Sequence, residues 1–476
     1  MKSNILKCSI VLSAFLGYTM AKAQNPIIQT NYTADPAPVV FDNDSTLYLY
    51  ADHDEDGASW YFMNDWRIYT TKDMVNWTDH GSPLSLNTFK WAARDAWAAQ
   101  CIKRNGKYYW YLAIVAKNGS NSIGVAVADS PLGPFKDAIG APLCQGGYYI
   151  DPTVWIDNDG SAYLYWGNSG CWCCKLNEDM ISYDKNFVIK GKHVTKVSDG
   201  IWKFVEDEYS FGGPGMIEKG KTKHSYKDIY VEGPWFYRRN NMYYLLYSAG
   251  GVPEHIAYSM SKKPIGPWKY MGQIMPLQNS GSFTNHCGVV DYKGHSYFFY
   301  HTGKLPGGSG FTRSIAAEEF KYNKDGAFPI INMTDEGVKP VGTLNPYQRN
   351  EAETIAWSQG VKTESNDRTG VYVSNIKNGD FIKVRVVNFG NRKADEFKVS
   401  VASARMGGNI EVHLDSIHGP LITTINVPHT GGWEEWETLS SQIAPENAPA
   451  GVRDVYFVFT GVKGAKLFNF DYWEFE

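Results

Sequence analysis

Three acidic residues stand at matching points of a repeated pattern: Asp35 in "ADPAPVV", Asp151 in "IDPTVW" and Glu232 in "VEGPWFY". Each opens a short apolar strand and lies one or two residues before a proline. Paired carboxylates are the groups that cleave acetals, one protonating the leaving oxygen while the other activates a water. Glu232 has an unusual setting, between Val231 and Gly233-Pro234 and just before Trp235 and Phe236. Apolar surroundings disfavour a charged carboxyl, so this residue is expected to keep a proton near neutral pH.

The elements that must position these acids come from the repeat itself. "DPAPVVFDNDSTLYLY" from Asp35, "WAAQCIKRNGKYYWYL" from Trp97, "DPTVWIDNDGSAYLYW" from Asp151, "EGPWFYRRNNMYYLLYS" from Glu232 and "HCGVVDYKGHSYFFYH" from His286 share one outline. A special residue leads into an apolar strand, a turn such as Asn-Gly or Asn-Asp-Gly, and a Tyr-rich strand. Such turns favour tight hairpins, and the alternating apolar residues make both strands half-buried. Five sheet-forming units with no helical period between them predict an all-β, five-bladed propeller. The innermost strands of a propeller line one axis, so Asp35, Asp151 and Glu232 should converge there. Trp97 and His286 take the matching places in the other two blades. In that arrangement Asp151 would resist ionisation of Glu232, while Asp35 stays charged.

Composition agrees with such a protein. Hydrophobic residues make up 43% and charged residues 20%, as in a globular chain, and a net charge of -4 without a basic block argues against nucleic acid as partner. Aromatic residues reach 15%, a density that suits β-sheets and sugar-binding clefts, where rings pack on pyranose C–H faces. Residues 1–23 read as an export signal: Lys2 and Lys7, the apolar run Ile10 to Met20, then Ala21-Lys22-Ala23 as the cleavage site. Cleavage after Ala23 and export are expected, without a transmembrane segment and as a monomer. Cys8 leaves with the signal. Of the six remaining cysteines, the "CWCC" group lacks a second ligand pair for zinc, and buried or partly paired thiols are expected. "DHDEDG" at Asp52 lacks the terminal Glu of an EF-hand loop.

The motifs "ADPAPVV", "IDPTVW" and "VEGPWFY", with "HIAYSMSKKPIGPWKY" after them, resemble glycoside hydrolase family 43 over about Asn25 to Met333. The resemblance implies a five-bladed propeller that hydrolyses arabinofuranosides or xylosides with inversion. It matches Asp35 to the general base, Glu232 to the general acid, and Asp151 to the carboxylate that tunes the acid and orients the sugar. It also matches Arg313 to a substrate-contacting arginine. His53, in "YADHDEDG", falls in a segment similar to the family's "SHD" and would line the pocket. Trp97 fits either an apolar wall for the sugar or propeller core. His286 matches an axial histidine that, in many relatives, binds calcium through water; a hydrogen-bonded core histidine fits equally well.

Beyond Met333 the texture changes. Short alternating strands such as "DFIKVRVVNF", "KVSVASA", "IEVHLDS" and "VYFVFTG" predict a β-sandwich of the jelly-roll kind. "NEAETIAWSQG", "GVYVSNIKNGDFIKVRVVNFG", "TGGWEEWETL" and "LFNFDYWEFE" are similar to carbohydrate-binding module family 6. That resemblance implies a sugar held between Tyr372 and Trp433, with Asn469 reaching its hydroxyls. Glu351 and Glu353, expected to alternate in one strand, would join Asp471 in a structural calcium site. The expected division is a signal at residues 1–23, a propeller domain at 24–340 and a sandwich module at 349–476. These readings converge on an exported inverting hydrolase that trims arabinofuranosyl or xylosyl groups from xylan or arabinoxylan, using no organic cofactor. The alternatives are a non-catalytic glycan-binding propeller and a hydrolase of another plant or arabinan-type glycan. A fructan-cleaving propeller would want an "NDPNG"-type first motif.

Overall fold

The turn pairs set the hairpins. Asn105-Gly106 and Asn240-Asn241 each close a two-residue loop with both residues at positive φ, the geometry that matches the twist of the flanking strands. Lys293-Gly294 does the same in the last repeat. A computed structural model of the chain describes residues 24–42, 44–205, 211 and 228–476; the expected export signal, with Cys8, lies outside them. No described helix is long and apolar enough to cross a membrane.

The chain is all-β and forms a five-bladed propeller and a β-sandwich. The blades begin with the inner strands Tyr32–Val39, Ala92–Arg104, Thr153–Ile156, Tyr230–Arg239 and Gly288–Tyr292, each paired antiparallel with the next strand in sequence. The Tyr-rich second strands account for much of the aromatic content, because their rings fill the space between blades. Tyr50 meets Trp110 edge-on at 4.8 Å, and Tyr165 stacks on Phe236 at 4.3 Å. The ring closes where the Thr33 N–H donates to the Arg313 carbonyl at 2.8 Å, joining the first blade to the last. All six remaining cysteines are buried, and burial raises the Cys173 and Cys174 thiols well above their usual range, which makes them inert.

The sandwich has one sheet around Asn469–Phe475 and Glu396–Ala402, and a second around Phe381–Asn388 and Val452–Thr460. Phe397, Phe457, Phe470 and Trp473 fill its middle. Contacts divide the chain differently from the expected boundaries at 24–340 and 349–476. Gln24–Thr30, Thr71–Gly81 and Thr334 onward belong with the sandwich, and Asn31–Thr70 with Ser82–Met333 form the propeller. Specific bonds explain the difference. The Gln24 side-chain amide donates to the Val75 and Ala356 carbonyls, Arg385 donates to Gln24 Oε1, and strand Trp77–Asp79 pairs with Thr354–Ile355.

Candidate active site

Two of the acids lie in a backbone conformation that few side chains adopt. Asp35 and Asp151 have φ of 49° and 56°, and each precedes a proline. In the fourth blade the residue before the proline is Gly233, at φ 58°. Glu232 is therefore one residue upstream of the place that Asp35 and Asp151 occupy, and its longer side chain makes up the offset. The strands bulge at these points, with register shifts between Ala34 and Ala37 and between Glu232 and Trp235. Bulges of this kind re-aim side chains beside active sites.

The three acids meet on one imidazole. His286 Nδ1 is 3.2 Å from Asp35 Oδ1, and its Nε2 is 3.6 Å from Asp151 Oδ2 and 3.5 Å from Glu232 Oε1. Glycine is required at 233 because a Cβ there would come within 2.7 Å of His286 Cδ2. Its N–H donates to Asp151 Oδ2 at 3.1 Å, so the "EGP" turn also orients the second acid. Asn168 Nδ2 donates to Glu232 Oε2. His301, whose protonated form burial disfavours, has Nδ1 at 3.4 Å from the Asp35 backbone N and 3.2 Å from its Oδ1, and Nε2 at 2.9 Å from the Thr284 carbonyl.

The charges sort these groups. Burial raises the Asp35 carboxyl, but Arg313, His286 and His301 outweigh it and hold it well below the usual carboxylate range. Burial, with Glu232 and Asp35 nearby, pushes Asp151 up to about 7. Burial lowers the His286 pKa, yet the three acids raise it well above the ordinary value. The expectation that apolar surroundings keep Glu232 protonated needs correction. Burial does act in that direction, but contact with His286 and the Asn168 hydrogen bond prevail and lower its pKa. Its environment is an imidazolium and an amide, which sequence neighbours do not reveal. Glu232 and His286 therefore share one proton as a coupled pair.

A cavity of about 300 Å³ opens above this cluster, lined by Asp35, Trp97, Asp151, Glu232, His286 and Arg313 among others. Trp97 is a wall residue, and its indole N–H donates to the Tyr61 carbonyl at 3.2 Å. Arg313 is 3% exposed; its Nε and Nη2 clasp Asp54 at 2.9 Å each, and its Nη1 donates to Asp35 at 3.2 Å. His53 is off the lining: it pairs with Asp65 at 2.9 Å on the other face of its strand. Sequence reasoning missed Asn168, His301, Asp52 and Glu254. Glu254 lines the cavity and accepts the Asn285 N–H at 2.9 Å; burial and Glu232 raise its pKa well above the carboxylate range. The one available signal was the i, i+2 spacing of Asp52 and Asp54, which places both on one strand face.

In the sandwich, Asn469 Nδ2 donates to the Trp433 carbonyl at 2.7 Å, and Lys466 lies over the Trp433 ring at 4.6 Å. Trp433 is half-buried, and Tyr372 is buried with its ring edge-on to Trp436 at 5.3 Å. Glu351 and Glu353 do not alternate in one strand, since the strand covers only Asn350–Glu351. Glu353 is nevertheless buried with Oε2 lacking a hydrogen-bond partner; burial, then Glu351, Asp79 and Asp471, raise its pKa well above the usual range. Arg349 pairs with Glu351 at 2.8 Å and Asp471 at 3.4 Å. An unpartnered buried oxygen among acids fits a hard cation. Among the described residues, the set of acids and histidines whose ligand atoms all converge closely enough to hold a metal is Asp151, Glu232 and His286. There two carboxylate oxygens and an imidazole nitrogen lie within 4.8 Å of one another, a donor set compatible with a cation.

Carboxylates converging at the floor of a cavity on a propeller axis define a glycoside hydrolase. Comparison with known proteins agrees. The chain belongs to glycosyl hydrolases family 43, whose model matches residues 23–328, and carbohydrate binding module (family 6) matches residues 351–476. It is 32% identical to an arabinoxylan arabinofuranohydrolase of Bacillus subtilis (strain 168), over 95% of this chain and 92% of that one. It is 31% identical to a xylosidase/arabinosidase of Bacteroides ovatus, over 65% of this chain and 98% of the relative. Among solved structures, a family 43 arabinoxylan arabinofuranohydrolase from Bacillus subtilis, in complex with cellotetraose, superposes with a TM-score of 0.76 at 30% identity, covering 95% and 97% of the two chains.

Proposed function

We propose that this hydrolase is an exported exo-enzyme that removes arabinofuranosyl or xylosyl groups from arabinoxylan with inversion. The observation that carries the reading is the meeting of Asp35, Asp151 and Glu232 on His286 at the floor of one cavity. Asp35, held ionised by Arg313, is the base that takes a proton from the attacking water. Glu232 delivers the proton it shares with His286 to the leaving oxygen, which leaves a carboxylate beside a neutral imidazole. Asp151 orients the sugar and, with a pKa near neutrality, tunes the acid. Asp35 and Glu232 face opposite nitrogens of one ring, an arrangement that suits the ~6.5–9.5 Å separation through which water enters in inverting enzymes. The names of the relatives supply the substrate class. Calcium in the sandwich, held by Glu353 with Glu351 and Asp471, would offset their mutual repulsion and pin the ends of the module. The polymer would be retained by the module through Trp433 and Asn469.

The test is direct. Incubation with arabinoxylan and xylo-oligosaccharides, followed by proton NMR from the first turnovers, should show free pentose as the inverted anomer. The retained anomer, or no pentose release, refutes the proposal. Glu232→Gln should lose activity mainly on substrates with poor leaving groups, because protonation matters least when the leaving group departs unaided. Export is checked by sequencing the N-terminus of the secreted protein, expected to begin at Gln24.

A further inference from the structure

Asp52 is a carboxyl with nothing to hold a charge. It lies on strand Leu47–Asp54, directly across from Ala34, the residue before the bulge that carries Asp35. It is 1% exposed, and neither of its oxygens has a hydrogen-bond partner. The nearby cation is already committed. Arg313 gives Nε, Nη2 and its backbone N–H to Asp54, and Nη1 to Asp35. An ionised Asp52 would thus be a third buried negative charge facing Asp35 and Asp54, with no donor of its own. An isolated buried carboxylate of this kind neutralises by taking up a proton. A neutral carboxyl then has an O–H that needs an acceptor, and the adjoining group able to accept it is Asp35.

We propose that Asp52 is kept as the neutral carboxylic acid and donates its O–H to the Asp35 carboxylate, making it a positioning residue for the base. The proposal rests on the reading of Asp35 as that base. Burial first, and then the charge of Asp35, act to raise the Asp52 pKa. The hydrogen bond fixes one Asp35 lone pair, so that another points at the water, and it lets two acids lie side by side with one negative charge between them.

Two measurements on the full chain decide the matter. In the infrared difference spectrum of wild type minus Asp52→Asn at neutral pH, a protonated-carboxyl band should appear; its absence overturns the proposal whatever the activities are. In kinetics, Asp52→Asn keeps a donor and should retain turnover within a few-fold. Asp52→Ala should lose kcat by about 10–10²-fold, with KM little changed and equally on activated and natural substrates, as expected when a base is misplaced. Its melting temperature should fall by no more than a few degrees, as loss of one buried hydrogen bond predicts, so the rate loss is read on a folded enzyme. A folded Asp52→Ala enzyme with wild-type kcat overturns the proposal. Failure of the base assignment would look different: Asp35→Asn would still turn over, while the Asp52 band in wild type would remain.

Discussion

Replacing Gly233 with alanine tests whether the His286 hub sets the rate. The substitution has two separable effects. First, an alanine at φ 58° adopts a left-handed conformation that L side chains disfavour by roughly 1–2 kcal/mol. Second, its Cβ would lie 2.7 Å from His286 Cδ2 and 2.8 Å from Nε2, so the ring must retreat by about 0.7 Å to reach ordinary contact at 3.4 Å. The ring cannot move that far without altering its contacts to Asp35, Asp151 and Glu232, which measure 3.2, 3.6 and 3.5 Å. Displacements approaching 1 Å in a catalytic constellation lower rates by ~10²-fold. Gly160→Ala is the control. Gly160 has φ 80° in a hairpin turn of the third blade, with nothing within 4 Å of a Cβ. Both variants should lose a few degrees of melting temperature, at about 2–4 °C per kcal/mol. Only Gly233→Ala should lose kcat, by ~10–10²-fold on an aryl glycoside. A folded Gly233→Ala enzyme with wild-type kcat, or an equal rate loss in Gly160→Ala, refutes the reasoning.

Asp151→Asn should raise the melting temperature at pH 8, and the gain should shrink towards pH 4. The folded-state pKa of about 7 exceeds the unfolded value, so wild type loses stability as pH climbs between the two; a gain independent of pH would contradict this. Calcium added after dialysis against a chelator should raise the melting temperature, and Glu353→Gln should abolish that response while stabilising the metal-free protein. No calcium response in wild type rules the site out. Trp433→Ala should weaken retention on insoluble arabinoxylan and leave aryl-glycoside rates unchanged, as removal of one stacking surface predicts; unaltered retention by the folded variant removes Trp433 from the binding face.

The fold was legible because its signals are local. A turn pair such as Asn105-Gly106 needs only its own two residues to specify a hairpin, and five such signals with one outline specify the propeller. The acids at the blade entries were legible for the same reason, since the repeat register places them on one axis. Protonation states were not, because they depend on groups far away in sequence. Glu232 is lowered by His286 and Asn168, and neither is a sequence neighbour. Asp52 and Glu254 were missed because an acid in a strand or loop becomes unusual only once its burial and lack of counter-charge are known. The membership of Thr71–Gly81 was equally hidden, since Trp77–Asp79 finds its partner strand at Thr354–Ile355.

That last pairing bears on the order in which the chain can fold as it is made. The propeller hairpins are local and can form as each repeat emerges, so the propeller is complete once Met333 is free. Gln24–Thr30 and Thr71–Gly81 emerge earlier, yet their partners come last. The Gln24 amide waits for Ala356 and Arg385, which lie 332 and 361 residues further along. At ~5–20 residues per second, the early strips wait tens of seconds for these late partners, although Trp77–Asp79 already has the earlier strand Asp65–Thr71 beside it. Met74, Val75 and Trp77 are all buried in the final structure. A chain stopped near residue 335 would never cover them. Synthesis from the N-terminus therefore leaves a short apolar segment without its late partners until the last module is made, and slow elongation or early termination should show up as aggregation that begins there.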